Sequence, residues 1–404
     1  MKYSFDQEID RVTSNSIKWN YIQDENDFSV LKKTDAYLGD NRLLPMWIAD
    51  MDFVCPQPVI DALAKRAAHG IFGYTGTSES YINAVVNWMK KRHNWNINPE
   101  WLCTSPGVVP AINMLIRTFT NSGDKVIIQT PVYYPFSSAI KSNHCTVVTN
   151  PLIRDKKKYK IDFESLEEKA KDPLVKLLIL CSPHNPVGRV WTLEELKRLG
   201  EICLKNNILV ISDEIHSDLV FDGYKFIPYA SINETFKENC IICTSASKTF
   251  NLAGLHTSNI IIPSETLRSK FMETVYSNGL AGMNTFGLIA TEAAYNEGEE
   301  WLEQVLAYIQ DNFEYLKSFI EEKIPEIEVI DAEATYLIWL DFRKLKLSLK
   351  ELKHFSIKKA GIFFDEGFIF GKPGAGFERI NIACARSILE EALIKLEKAV
   401  KSLR

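Results

Sequence analysis

Short runs of β-branched residues alternate with helical segments along the middle of the chain, and this alternation constrains the fold more than any other feature. The runs are KVIIQTP, CTVVTNPL, VKLLILCSP, ILVISDEI, CIICTSAS and SNIIIP. Strands alternating with helical segments predict an α/β domain with a largely parallel sheet. Thr192 and Glu195 are expected to form a capping box, so CSPHNPVGRVW is the turn between a strand and a helix.

The pattern changes after residue 290 or so. The helical stretch WLEQVLAYIQDNFEYLKSFIEEKIP is followed by expected strands near TYLIWLDF, GIFFDEG and RINIACA. Ser387 and Glu390 are expected to cap a final helix that continues through Leu403. We expect two domains with a ligand-binding cleft between them: a large one over residues 51–290, and a smaller α+β domain over residues 1–50 and 291–404.

Composition excludes several classes of protein. The 47 Lys and Arg against 52 Asp and Glu give a net charge of -5, so nucleic acid is not an expected partner. The start MKYSFDQEIDR lacks the features of a signal peptide, and no apolar run approaches about 18 residues, so we expect a cytoplasmic protein with no membrane association. The eight cysteines are too few in a chain of 404 residues for a disulfide-rich scaffold, so we expect reduced thiols. The sequence has no HExxH motif and no compact His/Cys/Asp cluster, so we expect no catalytic metal.

Polar residues follow the carboxyl ends of three predicted strands, where open α/β sheets bind ligands. Taken singly, each has a structural explanation as a turn residue, a loop acid or a solvated lysine. Together they supply an amine for an aldehyde, an acid for a pyridine nitrogen, and donors for a phenolic oxygen and a phosphate, which are the needs of pyridoxal phosphate. These residues are Asn185; Asp213 and His216; and Ser245, Ser247 and Lys248.

Two further motifs fit the same cofactor. TSPGVVPAINML is typical of a glycine turn opening a helix, and the N–H groups of Gly107, Val108 and Val109 are candidates for binding the phosphate, although a plain turn explains the motif equally well. Tyr133 in QTPVYYPF is a candidate for stacking on the pyridine ring. Core packing is the alternative for Tyr133, and Tyr134 is the second candidate for stacking.

These residues resemble those of fold type I pyridoxal-phosphate enzymes of aminotransferase class I/II, and most of all the MalY/PatB branch of cystathionine β-lyase-like enzymes. The similarity extends from LPMWIADMDF and HGIFGYT through CSPHNPVGRVW and SDEIHSDL to SASKTFNLAGL and RINIACARS. It implies that Lys248 carries the cofactor as a Schiff base, Asp213 faces the pyridine nitrogen, Asn185 contacts the phenolic oxygen and Tyr133 stacks on the ring. It also implies a phosphate site formed by Ser245, Ser247, Gly107 and Val108.

The resemblance also implies an assembly and a substrate contact. Tyr74 corresponds to a tyrosine that reaches the neighbouring cofactor phosphate across a homodimer interface. Arg379 corresponds to the arginine that binds the substrate α-carboxylate, at a substrate site that Asn185 and Tyr133 also border. His216 and His256 replace a tyrosine and a phosphate-binding arginine of many aminotransferases, which favours the lyase branch.

The implied reaction is β-elimination from an amino-acid substrate, a cysteine S-conjugate such as cystathionine, with Lys248 removing the Cα proton. Its products are a thiol, pyruvate and ammonia. One alternative is a class I/II aminotransferase, which requires a keto-acid acceptor and yields no free thiol. A second alternative is a cofactor-bound regulatory protein that acts through a partner and whose turnover is incidental.

Overall fold

The structure is a computed structural model that describes residues 3–23, 31–37 and 42–403. Parts of the predicted smaller domain, residues 1–2, 24–30 and 38–41, therefore lie outside the described residues. The strands are β1 (Tyr21–Gln23), β2 (Leu31–Lys33), β3 (Leu44–Pro45), β4 (Leu102–Ser105), β5 (Lys125–Ile128), β6 (Thr146–Thr149), β7 (Ile153–Asp155), β8 (Lys158–Lys160), β9 (Val175–Cys181), β10 (Leu209–Asp213), β11 (Cys240–Thr244), β12 (Ser258–Ile261), β13 (Glu328–Val329), β14 (Leu337–Asp341), β15 (Ile362–Phe363), β16 (Asp365–Glu366) and β17 (Phe377–Asn381).

The helices alternate with these strands through the middle of the chain. They are α1 (Ile17–Asn20), α2 (Gln57–Ala68), α3 (Glu79–His93), α4 (Val108–Phe119), α5 (Pro135–Ser142), α6 (Phe163–Ala170), α7 (Leu193–Lys205), α8 (Glu234–Glu238), α9 (Ala246–Thr249), α10 (Glu265–Ser277), α11 (Thr285–Glu297), α12 (Glu299–Lys323), α13 (Leu349–His354) and α14 (Arg386–Lys401). No helix of the described ranges is both long and apolar enough to cross a membrane.

The chain divides into two compact units. The larger unit comprises Cys55–Glu303 and Glu333–Thr335, and the smaller unit comprises Met1–Val54, Gln304–Ala332 and Tyr336–Arg404. The change of unit after Glu303 falls inside α12, whereas the boundary expected at residue 290 falls inside α11.

The larger unit is built around a seven-stranded sheet with the strand order β4-β12-β11-β10-β9-β5-β6. Neighbouring strands are parallel except for β12, which is antiparallel to both β4 and β11. Every residue of β11 is buried, and Lys176 is the only exposed position of β9, as expected for central strands covered on both faces. The predicted α/β fold with a mostly parallel sheet is confirmed.

The sheet register aligns the ends of its three central strands. Asp213 at the end of β10 is in register with Cys181 of β9 on one side and Cys243 of β11 on the other. Because these strands are parallel, the loops that follow them leave from the same edge of the sheet. The predicted polar residues of these three loops are therefore positioned by neighbouring strands.

Two predicted helix starts are confirmed and one is wrong. Thr192 and Glu195 form the capping box of α7, and Gly107 precedes α4. In contrast, Ser387 lies inside α14, which begins at Arg386 without a side-chain cap and ends at Lys401. The Tyr308 hydroxyl accepts the N–H of Arg386 at 2.7 Å, so a distant residue satisfies the amide that a local cap normally would.

The smaller unit contains a four-stranded antiparallel sheet with the order β13-β14-β17-β16. All five residues of β14 and all five of β17 are buried. One face of the amphipathic α14 is also buried. Strand β15 pairs in parallel with β3, which joins the early part of the chain to its last quarter.

Candidate active site

Lys248 is held in a very short helix at the edge of the large sheet. Helix α9 has four residues, directly follows β11, and leaves Lys248 half-buried. Ser245 caps this helix: its Oγ accepts the N–H of Ser247 at 3.0 Å and donates to the carbonyl oxygen of Thr257 at 2.6 Å. These two bonds fix the chain immediately before the lysine.

Asp213 is a buried acid that interacts with Lys248. It is only 4% exposed, and its Oδ1 accepts the N–H of Ile215 at 3.2 Å. Burial raises the pKa of Asp213 to about 7, while the hydrogen bond from Ile215 and the positive charge of Lys248 act in the opposite direction. The structure therefore brings the predicted acid and the predicted amine close enough for their charges to interact.

Asn185 and Tyr133 come from neighbouring loops that contact each other. The backbone N–H of Tyr133 donates to the carbonyl oxygen of Asn185 at 3.2 Å. Asn185 is buried, and its own N–H points to the sulfur of Cys181 at 3.4 Å. The half-buried ring of Tyr133 packs against Tyr134 and Phe136, with centroid distances of 5.6 and 5.8 Å. The Tyr133 ring therefore packs against neighbouring aromatic rings, as the core-packing alternative expects, and its stacking on a cofactor stays a prediction.

The predicted phosphate-binding turn lies at the same edge of the sheet. Gly107 has a φ of +133°, a conformation that side chains rarely adopt, and it is followed by the first turn of α4. Val108 and Val109 contribute backbone N–H groups to that turn, where a helix has no internal acceptors for them. Ser105 is in register with Ser258 in the adjacent strand β12. The glycine turn therefore leaves from a strand end next to the segment that Ser245 contacts.

The two histidines of interest differ in their surroundings. His216, in the loop after β10, is 3% exposed, and its carbonyl oxygen accepts the N–H of Leu219 at 2.9 Å. His256 is exposed and has a left-handed backbone, with a φ of 48°. The burial of His216 only three residues after Asp213 agrees with a place for it near the site, whereas His256 faces solvent in the single chain.

This arrangement fits pyridoxal phosphate by its chemistry. The edge of the sheet carries one amine for the aldehyde, one buried acid for the ring nitrogen and one helix start for the phosphate. The described ranges contain no group of three His, Cys, Asp or Glu side chains that could hold a metal ion. Cys240 and Cys243 are buried free thiols in β11 with raised pKa values, because burial disfavours the thiolate.

Tyr74 is not brought to the other predicted residues within the chain. It lies between α2 and α3, and its relative exposure of 111% makes its side chain fully accessible. Ile71 and Phe72, three and two residues earlier, are 68% and 58% exposed. This segment therefore presents an apolar surface that the chain itself leaves uncovered.

Arg379 belongs to the smaller unit, where it is almost fully buried. It lies in β17, is 2% exposed, and its Nη2 donates to the carbonyl oxygen of Trp47 at 2.8 Å. The same nitrogen forms an ion pair with Asp365, directly across the strand pair. Burial raises the pKa of Asp365 to about 6, against the opposing charge of Arg379.

Sequence reasoning identified neither Asp365 nor Thr257 as a partner of a site residue. Asp365 lies in a strand of two residues, which is too short to show a periodic pattern. Thr257 contributes a backbone oxygen, for which any residue type would serve. Neither contact leaves a signal in the sequence, since both depend on how distant segments pair.

Comparison with known proteins places this geometry in context. The family model described as aminotransferase class I and II matches residues 43–396. Cystathionine beta-lyase PatB of Bacillus subtilis is 42% identical over 397 residues, which cover 98% of this chain and 100% of the relative. The expected resemblance to the MalY/PatB branch is confirmed.

Solved structures agree with the fold. The crystal structure of cystalysin from Treponema denticola, which contains a pyridoxal 5'-phosphate cofactor, has a TM-score of 0.94 and 42% identity, with 100% of both chains covered. A PLP-bound putative aminotransferase from Clostridium difficile 630 has a TM-score of 0.92 and 45% identity, covering 99% of this chain and 100% of that one. The fold type I architecture is thus shared along the whole chain.

Proposed function

Because the chain belongs to the aminotransferase class I and II family, we propose that it is a pyridoxal-phosphate-dependent carbon–sulfur β-lyase. It cleaves cystathionine or related cysteine S-conjugates to a thiol, pyruvate and ammonia. The observation that carries this proposal is the electrostatic interaction between Lys248 and the buried Asp213 at the sheet edge, in a chain that matches a cystathionine β-lyase along its length.

Lys248 and Asp213 divide the chemistry between them. The cofactor, when bound, withdraws electrons from the Cα of the substrate. Lys248 supplies the amine that holds the aldehyde and, once released, takes the proton from Cα, which a half-buried amine at this position can do. Asp213 keeps a proton on the ring nitrogen through its opposite charge.

The remaining residues orient the cofactor. We assign Asn185 and His216 to the phenolic oxygen side and Tyr133 to the face of the ring. The N–H groups of Gly107, Val108 and Val109 hold the phosphate together with Ser245 and Ser247, because a helix start and hydroxyl groups are suited to an anion.

Arg379 is assigned to the α-carboxylate of the substrate. A planar guanidinium binds a carboxylate through two parallel hydrogen bonds, and the contacts with Asp365 and Trp47 fix the plane of this side chain before any substrate arrives. Asn185 and Tyr133 border the same substrate. Arg379→Lys is expected to raise KM for the amino acid far more than it lowers kcat.

We further propose a cytoplasmic homodimer. The exposed apolar segment that carries Tyr74 is the surface that a second copy of the chain covers, and Tyr74 then serves the phosphate of the neighbouring cofactor. The net charge of -5 and the thiols, which are unpaired in the described structure, agree with a cytoplasmic enzyme.

An aminotransferase is the second candidate, because one solved structure of 45% identity is described as a putative aminotransferase. The decisive experiment supplies cystathionine and several S-alkyl cysteines and measures pyruvate, ammonia and thiol, with and without a keto acid. A lyase releases all three products without an acceptor. A strict requirement for the keto acid, without free thiol, would identify an aminotransferase.

The lysine assignment has a test of its own. Borohydride reduction of the loaded protein should fix the cofactor on the SASKTFN peptide, at Lys248. Peptide mapping that finds the adduct on any other lysine would exclude this site.

A further inference from the structure

Asp218 is a buried carboxylate with an unusually complete set of donors. It is 4% exposed and lies five residues after Asp213, in the loop that follows β10. Its Oδ1 accepts from Nε2 of His93 at 2.9 Å and from Nε1 of Trp88 at 3.1 Å. Its Oδ2 accepts from the hydroxyl of Thr249 at 2.7 Å. The carboxylate therefore joins α3, through Trp88 and His93, to α9, through Thr249.

The contact with Thr249 matters because that residue directly follows Lys248. A helix of four residues such as α9 has almost no internal hydrogen bonds to define its orientation. Its start is fixed by the contacts of Ser245, and the bond to Asp218 fixes its last residue. The lysine is thus fixed from both ends of the helix.

Asp218 also belongs to the loop that directly follows Asp213. The backbone N–H of Ser217 donates to Glu214 and that of Leu219 donates to His216, at 3.0 and 2.9 Å, so the loop is internally braced. Because the Asp218 side chain holds α9 and its backbone belongs to the loop after Asp213, it sets the distance between Asp213 and Lys248.

The carboxylate is charged, which makes it a strong acceptor. Burial alone would raise the pKa of Asp218, but the hydrogen bonds and charge of His93, the bond from Thr249 and the charge of Arg92 hold it below its usual value. Trp88 is itself fixed, since it stacks on Tyr295 with a centroid distance of 5.0 Å. The acceptor is therefore rigid as well as charged.

We propose that Asp218 is a positioning residue for the reaction, which acts through Thr249 to hold Lys248 at the correct place relative to Asp213. The proposal rests on the assignment of Lys248 as the amine that carries the cofactor, and it does not depend on which amino acid is cleaved. The carboxylate of Asp218 is engaged by His93, Trp88 and Thr249, so its effect on Lys248 is transmitted through Thr249.

The most direct test removes the hydroxyl of Thr249 and keeps the shape of its side chain. Thr249→Val removes the bond to Asp218 with little change in volume, and Thr249→Ser retains it. A small displacement of a reacting group costs up to roughly a hundredfold in rate, so we expect Thr249→Val to lower kcat roughly tenfold to a hundredfold with KM within about twofold. Thr249→Ser should recover most of the wild-type kcat.

A second measurement is independent of turnover. The visible absorbance band of the lysine-bound cofactor changes with pH, and its midpoint reports the surroundings of the Lys248 nitrogen. In Thr249→Val this midpoint should move by about half a pH unit or more, while cofactor remains bound. Asp218→Asn should move it in the same direction if the variant folds.

Thr118→Val is the matched control, because the Thr118 hydroxyl also joins two segments, by a 2.8 Å bond to Thr274, away from the site. It should leave the midpoint and kcat unchanged. If Thr249→Val lowers only the melting temperature and keeps both the wild-type midpoint and kcat, Asp218 is structural and the proposal is wrong. If the lyase assignment itself is wrong, the wild-type protein will release no pyruvate, which distinguishes that outcome from a failure of this proposal.

Discussion

The pKa of Asp213 is set by burial on one side and by the Ile215 hydrogen bond and the charge of Lys248 on the other, so its protonation responds to a further charge bound nearby. Burial favours the neutral acid, while Lys248 favours the carboxylate. A protonated pyridine about 4 Å away would contribute roughly 4 kcal/mol of attraction at an effective dielectric near 20, before desolvation. That gain is sufficient to keep Asp213 ionised beside the cofactor near neutral pH.

Replacing this acid should therefore disable the cofactor. In Asp213→Ala the ring nitrogen loses its counter-charge, and we expect weaker retention of the cofactor and a loss of kcat of about a hundredfold or more. Cofactor retention is measured by dialysis and absorbance, and turnover by pyruvate release. Asp172→Ala, which removes a half-exposed partner of Lys125, is the control. Unchanged kinetics in Asp213→Ala would count against the assignment.

The same acid predicts how the stability of the cofactor-free protein varies with pH. Its pKa is about 7 when folded and near its usual value of 3.8 when unfolded, so the folded protein binds the extra proton between these values. The contribution of Asp213 is complete below pH 4 or so, declines by about 1.4 kcal/mol per pH unit, and is lost above pH 7 or so.

Urea unfolding of the wild type and of Asp213→Asn at several pH values between 4 and 8 measures this contribution. The unfolding free energy of the wild type minus that of Asp213→Asn should fall by about 1.4 kcal/mol per pH unit as the pH rises, because only the wild type must ionise a buried acid, and it should become constant above pH 7 or so. Glu214, whose pKa burial raises to about 8, acts in the same direction, and the charge of Asp213 is among the causes that raise it, so the comparison is made with Glu214→Gln present in both proteins. A difference that is independent of pH would contradict the prediction.

At the scale of elements, the loop that carries Asn185 is held by a segment from much later in the chain. Glu333 Oε2 accepts from Nε of Arg189 and from the N–H of Val190, both at 2.9 Å, and Oε1 accepts from Lys158 at 3.0 Å. The N–H of Glu333 also donates to Gly188 at 2.8 Å. The loop after β9 is therefore fixed at the end opposite to its strand.

Breaking this contact should cost stability. Glu333→Gln removes one of the two carboxylates that pair with Arg189, at a site where the side chains of Glu333 and Arg189 are at least 90% buried. Because Glu195 remains paired with Arg189, we expect a cost of about 2 kcal/mol, that of a hydrogen bond to a charged group. Chemical unfolding measures the loss. Glu167→Gln is the matched control, since it removes a glutamate paired with an arginine where both are about half exposed, and it should change little. Equal effects of the two substitutions would exclude the anchoring role.

The elements that the sequence predicted well are those whose signal is local. Strands β9, β10 and β11 are runs of buried apolar residues, and the acid and the lysine follow directly at their ends, so both elements and site could be located from the pattern. The start of α14 could not be predicted from the sequence, because the group that accepts its first N–H is the hydroxyl of Tyr308. The role of Glu333 could not be predicted either, because its partners Arg189 and Val190 are more than 140 residues away. Contacts of this kind are set by the fold.

At the scale of the whole molecule, the exposed segment with Ile71, Phe72 and Tyr74 requires an explanation. Side chains of this size are rarely left together in solvent by a monomer. In a symmetric dimer the same patch is used twice, so each Tyr74 is available to the site of the other subunit. Cofactor binding and assembly are then linked, and each site needs Lys248 from one chain and Tyr74 from its partner chain.

This linkage predicts complementation between two defective chains. Lys248→Ala lacks the amine, Tyr74→Ala lacks the residue that crosses the interface, and each homodimer should have little or no activity. In a mixed dimer, the site of the Tyr74→Ala subunit keeps its own Lys248 and receives an intact tyrosine from the other chain. Random exchange of equal amounts makes half of the dimers mixed, with one native site each, so activity should rise to about one quarter of wild type. Sedimentation confirms that the species are dimers, and a mixture that stays as inactive as its parents would show that Tyr74 serves the site of its own chain or none.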